Sequence, residues 1–358
     1  MVTYGEYLKL QQILNAQAPS SAVGGKAAHD EMLFIIVHQA YELWFKEVLH
    51  ELDSIIEMFA GNFVDETSIG TAVARLQRII QIQKLLIEQI KVIETLTPLD
   101  FLDFRGYLPG ASGFQSVQFR MIENRLGLRR EERLLYANRP YDADYNAEEV
   151  AQVKRTESEP TLFSVVERWL ERTPFLQGHG FEFLTAYRQA FQRMVQNDRR
   201  TIQESTIISE DERNLRLQMI AQTEQLFSKV LNEKSYGEKR EKGEVRLSYN
   251  AFLAALFINL YRDQPILHLP FRLLTLLTEL DEYLSLWRYR HSLMVLRMLG
   301  SKMGTGGSSG HDYLKKTVDK HSIFGDLFGI STLIIPRSEL PPLGHELVRE
   351  LGFFYSHV

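Results

Sequence analysis

The sequence contains no cysteine. That excludes a disulfide framework, a thiolate nucleophile, a cysteine-held iron–sulfur cluster and a thiolate bond to haem. Proline is scarce, and long stretches have none: Pro19 to Pro98, Pro174 to Pro265, and Pro270 to Pro336. Glycine is likewise missing between Gly25 and Gly61, Gly180 and Gly237, and Gly243 and Gly300. Alternating Val- and Thr-rich runs of strand type are nearly absent, so the expected fold class is all-α, a bundle of long helices. The most apolar uncharged run, Leu247 to Tyr261, falls short of the roughly 18–20 residues that cross a bilayer. No basic segment followed by an apolar stretch opens the chain, so no secretory signal and a cytoplasmic location are expected. With 41 basic against 46 acidic residues and a net charge of −5, no nucleic-acid surface is expected.

The first 25 residues form a short polar arm with Tyr4, Tyr7, Leu8 and Leu10. Such an arm builds no core of its own, and its two tyrosines predict docking on another surface. Residues 26–358 are expected to form one helical domain, with polar connecting excursions at 128–160 and 234–244. The spacing predicts a first long helix from about Asp30 to Phe59, with Phe34, His38, Tyr41, Phe45 and Leu49 on one face. A second runs from about Ser68 to Thr95. Thr97-Pro98 breaks it, and Phe101, Phe104 and Arg105 follow. Ser112 is the expected cap of a helix from Phe114 to Leu126. Helices are further expected over about 161–173, 181–197, 211–233, 248–261 and 311–320. The longest uninterrupted pattern starts near Pro270 and ends at Gly300. Leu277, Leu280, Leu284, Trp287, His291, Met294 and Met298 recur along it at three- and four-residue spacing.

His38 and His291 are each a lone imidazole on an apolar stripe. Spacing alone favours a hydrogen-bonded core histidine for both; for His291 the sharper alternative is an axial ligand to haem iron, which needs a neutral imidazole and apolar walls. Side-chain metal centres have little support. A di-iron bundle wants two Glu-x-x-His pairs, and only Glu47-Val48-Leu49-His50 is found; there is no His-Glu-x-x-His. The loop Gly304-Thr305-Gly306-Gly307-Ser308-Ser309-Gly310 lacks the Gly-Lys-Ser/Thr ending of a phosphate loop, but suits a lid over a small polar ligand. Arg105, among aromatics and ahead of a tight Gly/Ser turn, has the planar fork that clamps a carboxylate.

Six strings, in order, carry a family resemblance: Tyr4-Gly5-Glu6-Tyr7-Leu8, Phe34 to Trp44, Asp103-Phe104-Arg105, Ser112 to Ser116, Trp287 to His291, and Gly304 to Gly310. Together the chain resembles the tryptophan 2,3-dioxygenases. The resemblance implies an α-helical enzyme with haem b, one per subunit, usually a homotetramer. Such enzymes insert both atoms of O2 across the C2–C3 bond of L-tryptophan. It further implies His291 as the proximal iron ligand and His38 as the distal histidine facing the indole N–H. Arg105 would hold the substrate carboxylate, and Thr305 the ammonium and carboxylate end. Ser112 would lie near the haem edge, Phe34 and Phe101 would wall the indole, and Tyr4 and Tyr7 would reach in from a neighbouring subunit.

Overall fold

The computed structural model describes residues 1–25, 27–108, 115–135, 139–178, 180–300 and 310–352. The arm carries two short helices, α1 (Tyr4–Tyr7) and α2 (Leu10–Leu14). Lys9 separates them with a left-handed backbone (φ 53°), a conformation that few non-glycine residues adopt. Next come α3 (Glu31–Ala60), α4 (Glu66–Ile93), α5 (Pro98–Arg105), α6 (Val117–Leu126), α7 (Ala147–Ser158) and α8 (Leu162–Glu171). A two-residue hairpin, β1 (Gln177–Gly178) with β2 (Phe181–Glu182), leads into α9 (Phe183–Glu204). The rest is α10 (Glu210–Val230), α11 (Glu233–Glu241), α12 (Tyr249–Leu260), α13 (His268–Leu299), α14 (Gly310–Lys320), α15 (Gly325–Gly329) and α16 (His345–Leu351). Among the described residues the chain is thus all-α apart from that hairpin. Among the described residues, no helix is long and apolar enough to cross a membrane.

The helices begin where polar side chains satisfy the free N–H groups of a first turn. Thr97 and Asp100 form a reciprocal capping box on α5, with Pro98 at its first position. Ser248 caps α12, and Gly300, at φ 59°, ends α13 in the conformation glycine favours. Three expectations need correction. The helix predicted from Phe114 with Ser112 as its cap begins instead at Val117, because Ser116 accepts the N–H of Phe119 at 3.2 Å. The 234–244 excursion is largely the helix α11. Asn232 caps it, and Tyr236, 2% exposed, anchors it against Tyr249 and Phe252 with ring centroids 5.5 and 5.0 Å away. The 128–160 excursion contains α7, started by an Asn146–Glu149 capping box and fixed by buried Val153 and Thr156. Neither helix has an apolar stripe, so periodicity alone does not reveal them.

The chain divides into two compact units. One comprises residues 58–74, 163–278 and 324–358, with a core of Phe183, Tyr187, Phe227, Phe257 and the apolar α12. Here the Tyr187 hydroxyl donates to the Leu333 carbonyl, and Phe191 stacks on Phe227 at 3.8 Å.

The other unit comprises residues 1–57, 75–162 and 279–323 and holds every described candidate site residue. Its most demanding feature is a buried charge cluster. Glu123, 1% exposed, accepts from Arg120 at 2.9 Å, from Arg288 at 2.8 Å, and from Arg133. Arg288 also donates to the His321 carbonyl at 3.1 Å, and Arg133 to Asn124 at 2.6 Å. Burial alone would raise the Glu123 carboxyl; Arg133, Arg120 and Arg288 hold it well below its ordinary value. A depressed folded pKa means a stabilisation that is complete above the ordinary carboxylate range and is lost as pH falls toward the folded value.

Glu123→Ala should cost about 3–5 kcal/mol, because it leaves three guanidiniums buried without their anion. Urea unfolding at neutral pH measures this, and an unchanged midpoint would show that the cluster is not integral to the fold. The difference between wild type and variant should shrink as pH is lowered below the carboxylate range.

Candidate active site

Helix α3 supplies the first half of the site. Phe34 and His38 stand one turn apart, their rings 4.1 Å between centroids. His38 Nδ1 lies 2.7 Å from the Phe34 carbonyl oxygen. A carbonyl only accepts, so Nδ1 carries the proton and Nε2 keeps a lone pair. The His38 side chain is open to solvent by surface area, yet enough protein surrounds it for burial to lower its pKa. The contact with Phe34 and the charge of Glu42 oppose that shift.

Helix α5 supplies the aromatic wall. Phe101 lies 5.8 Å from Phe34, and Phe104 lies 5.5 Å from Phe34 and 5.4 Å from Phe101. These separations suit offset and edge-on packing. Phe104 is fully buried and braces the other two from behind. Arg105 follows in the last turn of α5, one turn beyond Phe101, and is half-buried.

Helix α13 brings the second histidine. Phe34, Phe101, Tyr41, Met294 and Leu299 pack on a buried nucleus of Val37, Ile93, Leu96 and Met298. His291 lies one turn before Met294 on the same helix. Burial lowers its pKa to about 4, and the nearby His38 adds to the effect. Its Nδ1 is buried and has no hydrogen-bond partner. Its ring stacks on Trp287 at 5.1 Å and 19°. Trp287 in turn packs on Phe119 at 5.1 Å and Tyr41 at 6.2 Å. One residue beyond His291, the Ser292 carbonyl accepts from His311 at 3.0 Å, which ties the start of α14 to α13.

The structure therefore brings together His38, Phe34, Phe101 and His291, with Arg105 on the helix of Phe101. It does not bring Tyr4 or Tyr7 into this cluster; both lie on α1, 75% and 77% exposed. Ser112 and Thr305 lie outside the described residues. Sequence reading named Phe104 beside Arg105 but did not count it among the site residues, although its spacing from Phe101 was a signal. It also missed the bracing of Trp287 by Tyr41 and Phe119, which only tertiary packing reveals. Among the described residues, no cluster of three metal-ligating side chains forms.

Two neutral imidazoles beside an aromatic cluster define an all-α protein suited to a flat apolar ring and a cofactor held by one histidine. The comparisons make the class particular. A family model described as tryptophan 2,3-dioxygenase matches residues 1–334. The tryptophan 2,3-dioxygenase of Bdellovibrio bacteriovorus is 48% identical over 354 residues, covering 99% of both chains. That of Dictyostelium discoideum is 47% identical over 356 residues, covering 99% of this chain and 89% of the relative. That of Xenopus laevis is 45% identical over 342 residues, covering 95% and 84%. The chain belongs to the tryptophan 2,3-dioxygenase family and is an oxidoreductase.

The family is haem-dependent, and the residues present fit that cofactor. A metal ligand must be a neutral imidazole. His291 meets that condition down to about pH 4, with one ring nitrogen buried and unpartnered and the Trp287 ring stacked on it.

His291→Ala should abolish the Soret band that the wild-type protein shows after haem supplementation. Full haem retention with an unchanged spectrum would move the ligand elsewhere.

Proposed function

We propose that this chain inserts both atoms of O2 across the C2–C3 bond of L-tryptophan to give N-formyl-L-kynurenine. That is the first step of tryptophan degradation by the kynurenine pathway. The observation that carries this reading is the grouping of His38, Phe34, Phe101 and His291, in a chain whose relatives are named for that reaction. Haem b, one per subunit, is the cofactor, and His291 is its single protein ligand. When bound, the haem supplies the O2 activation that ordinary side chains cannot. A homotetramer acting in the cytoplasm belongs to the same reading.

The rest follows from the side chains. Tryptophan is an apolar bicycle with a zwitterionic tail. Phe34 and Phe101 wall the bicycle, burying apolar surface without presenting a competing donor. Arg105 binds the carboxylate through its planar fork. Thr305 contacts the ammonium and carboxylate end, and Ser112 lies near the haem edge. Tyr4 and Tyr7 enter from a neighbouring subunit. His38 accepts the indole N–H at Nε2, because Nδ1–H is committed to the Phe34 carbonyl. It orients the ring rather than removing its proton. An indole N–H is a very weak acid, and an imidazole whose pKa burial has lowered is a weaker base than an ordinary one.

His38→Ala should retain haem and lose most of its preference for tryptophan over 1-methyltryptophan, which has no indole N–H to donate. Steady-state kinetics with both substrates is the measurement. If wild type discriminates strongly and the variant discriminates equally, His38 is not the partner.

Arg105→Lys should lower kcat/KM for L-tryptophan roughly tenfold to a hundredfold, since a point ammonium cannot reproduce two parallel bonds and about 1.5–3 kcal/mol is at stake. Tryptamine, which lacks the carboxylate, should be insensitive to the change. Unchanged kinetics with L-tryptophan would place the carboxylate site elsewhere.

A further inference from the structure

The N-terminal arm is fastened to α3 at two points. At the first, the Glu31 carboxylate accepts the N–H of Ser20 at 2.7 Å, the N–H of Ser21 at 3.0 Å, and the Ser21 hydroxyl. Ser21 Oγ also accepts the N–H of Ala28 at 2.8 Å. Glu31 is 1% exposed and Ser21 3%. At the second point, Gln39 donates to the Ala16 carbonyl at 3.2 Å and accepts from Gln17 at 2.7 Å. Gln17 donates in turn to the Ile13 carbonyl at 2.9 Å, in the last turn of α2.

These bonds set the direction of the arm. Residues 16 and 17 lie at position 39 of α3, and residues 20 and 21 at position 31, so the arm runs antiparallel to the helix. The anchors on α3 are eight residues apart, a rise of about 12 Å. The arm covers that span from Gln17 to Ser20, whose backbone reaches at most about 11 Å, with the anchoring side chains making up the difference. Pro19 keeps the segment extended at φ −59° and ψ 123°. The strap is drawn out rather than slack. It also adjoins the site: Gln39 follows His38 directly, and Glu31 lies one turn before Phe34.

Beyond the anchors, α1 and α2 bury nothing. Tyr4, Tyr7 and Leu14 remain 75%, 77% and 69% exposed. Burial alone would raise the Glu31 carboxyl, yet the bonds from Ser21 and Ser20 hold it below its ordinary value. A buried carboxylate saturated by donors from the root of the arm is a built anchor.

We propose that Glu31 and Gln39 are positioning residues for the arm. They fix its course along the helix that carries Phe34 and His38, so that Tyr4 and Tyr7 reach a neighbouring subunit's site in a set register. The inference rests on the reading of the arm as donated between subunits.

The test compares Glu31→Gln, Gln39→Leu and deletion of residues 1–14, each in the haem-loaded protein, with both substitutions repeated in the deleted chain. The deletion should raise the KM for tryptophan. Each substitution in the full chain should raise it roughly threefold to tenfold with kcat within about twofold of wild type. In the deleted chain neither substitution should change KM further, because the element they position is gone. A KM raised by the deletion but by neither substitution would leave the arm reading intact and overturn the anchor. A deletion without effect on KM would overturn the arm reading, and the anchor with it. Substitutions that act equally with and without the arm would show an effect on His38 or general stability, and would also overturn the proposal. Should Glu31→Gln fail to fold, Gln39→Leu carries the same comparison alone.

Discussion

One carboxylate under three guanidiniums governs the unit that holds the site. Taking Glu123 out of water carries a desolvation cost that a single cation seldom repays. Three cations repay it, and their convergence fixes the elements that bring them. Arg120 comes from α6, Arg133 from the segment after it, and Arg288 from α13. The last is the important one, because Arg288 lies one turn before His291. Its second bond, to the His321 carbonyl, holds the chain just past α14. Rotation of α13 about its axis would break both bonds inside a low-dielectric interior. The azimuth of the helix, and with it the direction in which His291 points, is set by electrostatics some distance from the site.

The site itself works on the opposite principle. Its rings and imidazoles are uncharged, and the boundary between the two regimes is aromatic. Phe119 adjoins Arg120 in sequence and packs on Trp287, which stacks on His291. A run of π-surface therefore leads from the charge cluster to His291. Burial does the rest, since a desolvated imidazole is neutral and keeps a lone pair for a metal. The same logic makes His38 a good acceptor and a poor base. Its hydrogen bond to the Phe34 carbonyl fixes its tautomer and ties the direction of the acceptor to the turn of α3 that carries the Phe34 ring.

Much of this was legible in the sequence, for reasons that differ by element. Helices α3 and α13 were readable because they lack breakers and carry unbroken stripes, and the stripes place His38 and His291 on apolar faces. Helices α7 and α11 were not, because each is held by one or two buried side chains, Val153 and Thr156 or Tyr236, and by caps at its start. A pattern of one has no period. The start of α6 was misplaced because Ser112 was the expected cap, whereas Ser116, a second serine four residues on, caps it. The Glu123 cluster was invisible for a deeper reason. Arg120 and Glu123 at i and i+3 look like an ordinary exposed helix pair, and only the arrival of Arg133 and Arg288 from distant parts of the chain makes them a core. The candidate site residues were singled out by their strings rather than their spacing, since spacing alone favoured a structural role for His291.

The arm was the least determined part of that reading, and its structure explains why it exists as ordered chain at all. A four-residue helix and a five-residue helix with no buried side chain are far below the length at which isolated helices persist in water. Local devices hold them. Thr3 and Glu6 form a reciprocal capping box on α1, and Gln17 returns to the carbonyl of Ile13 at the end of α2. These bonds shape the arm without burying its tyrosines. A segment that is shaped in advance and anchored at its root loses less conformational entropy on docking than a free tail would. Its exposed aromatics then represent interaction free energy that the chain cannot realise alone. On the proposed reading, that energy is released only when a second copy supplies the surface, so completion of the active site and assembly of the oligomer are one event.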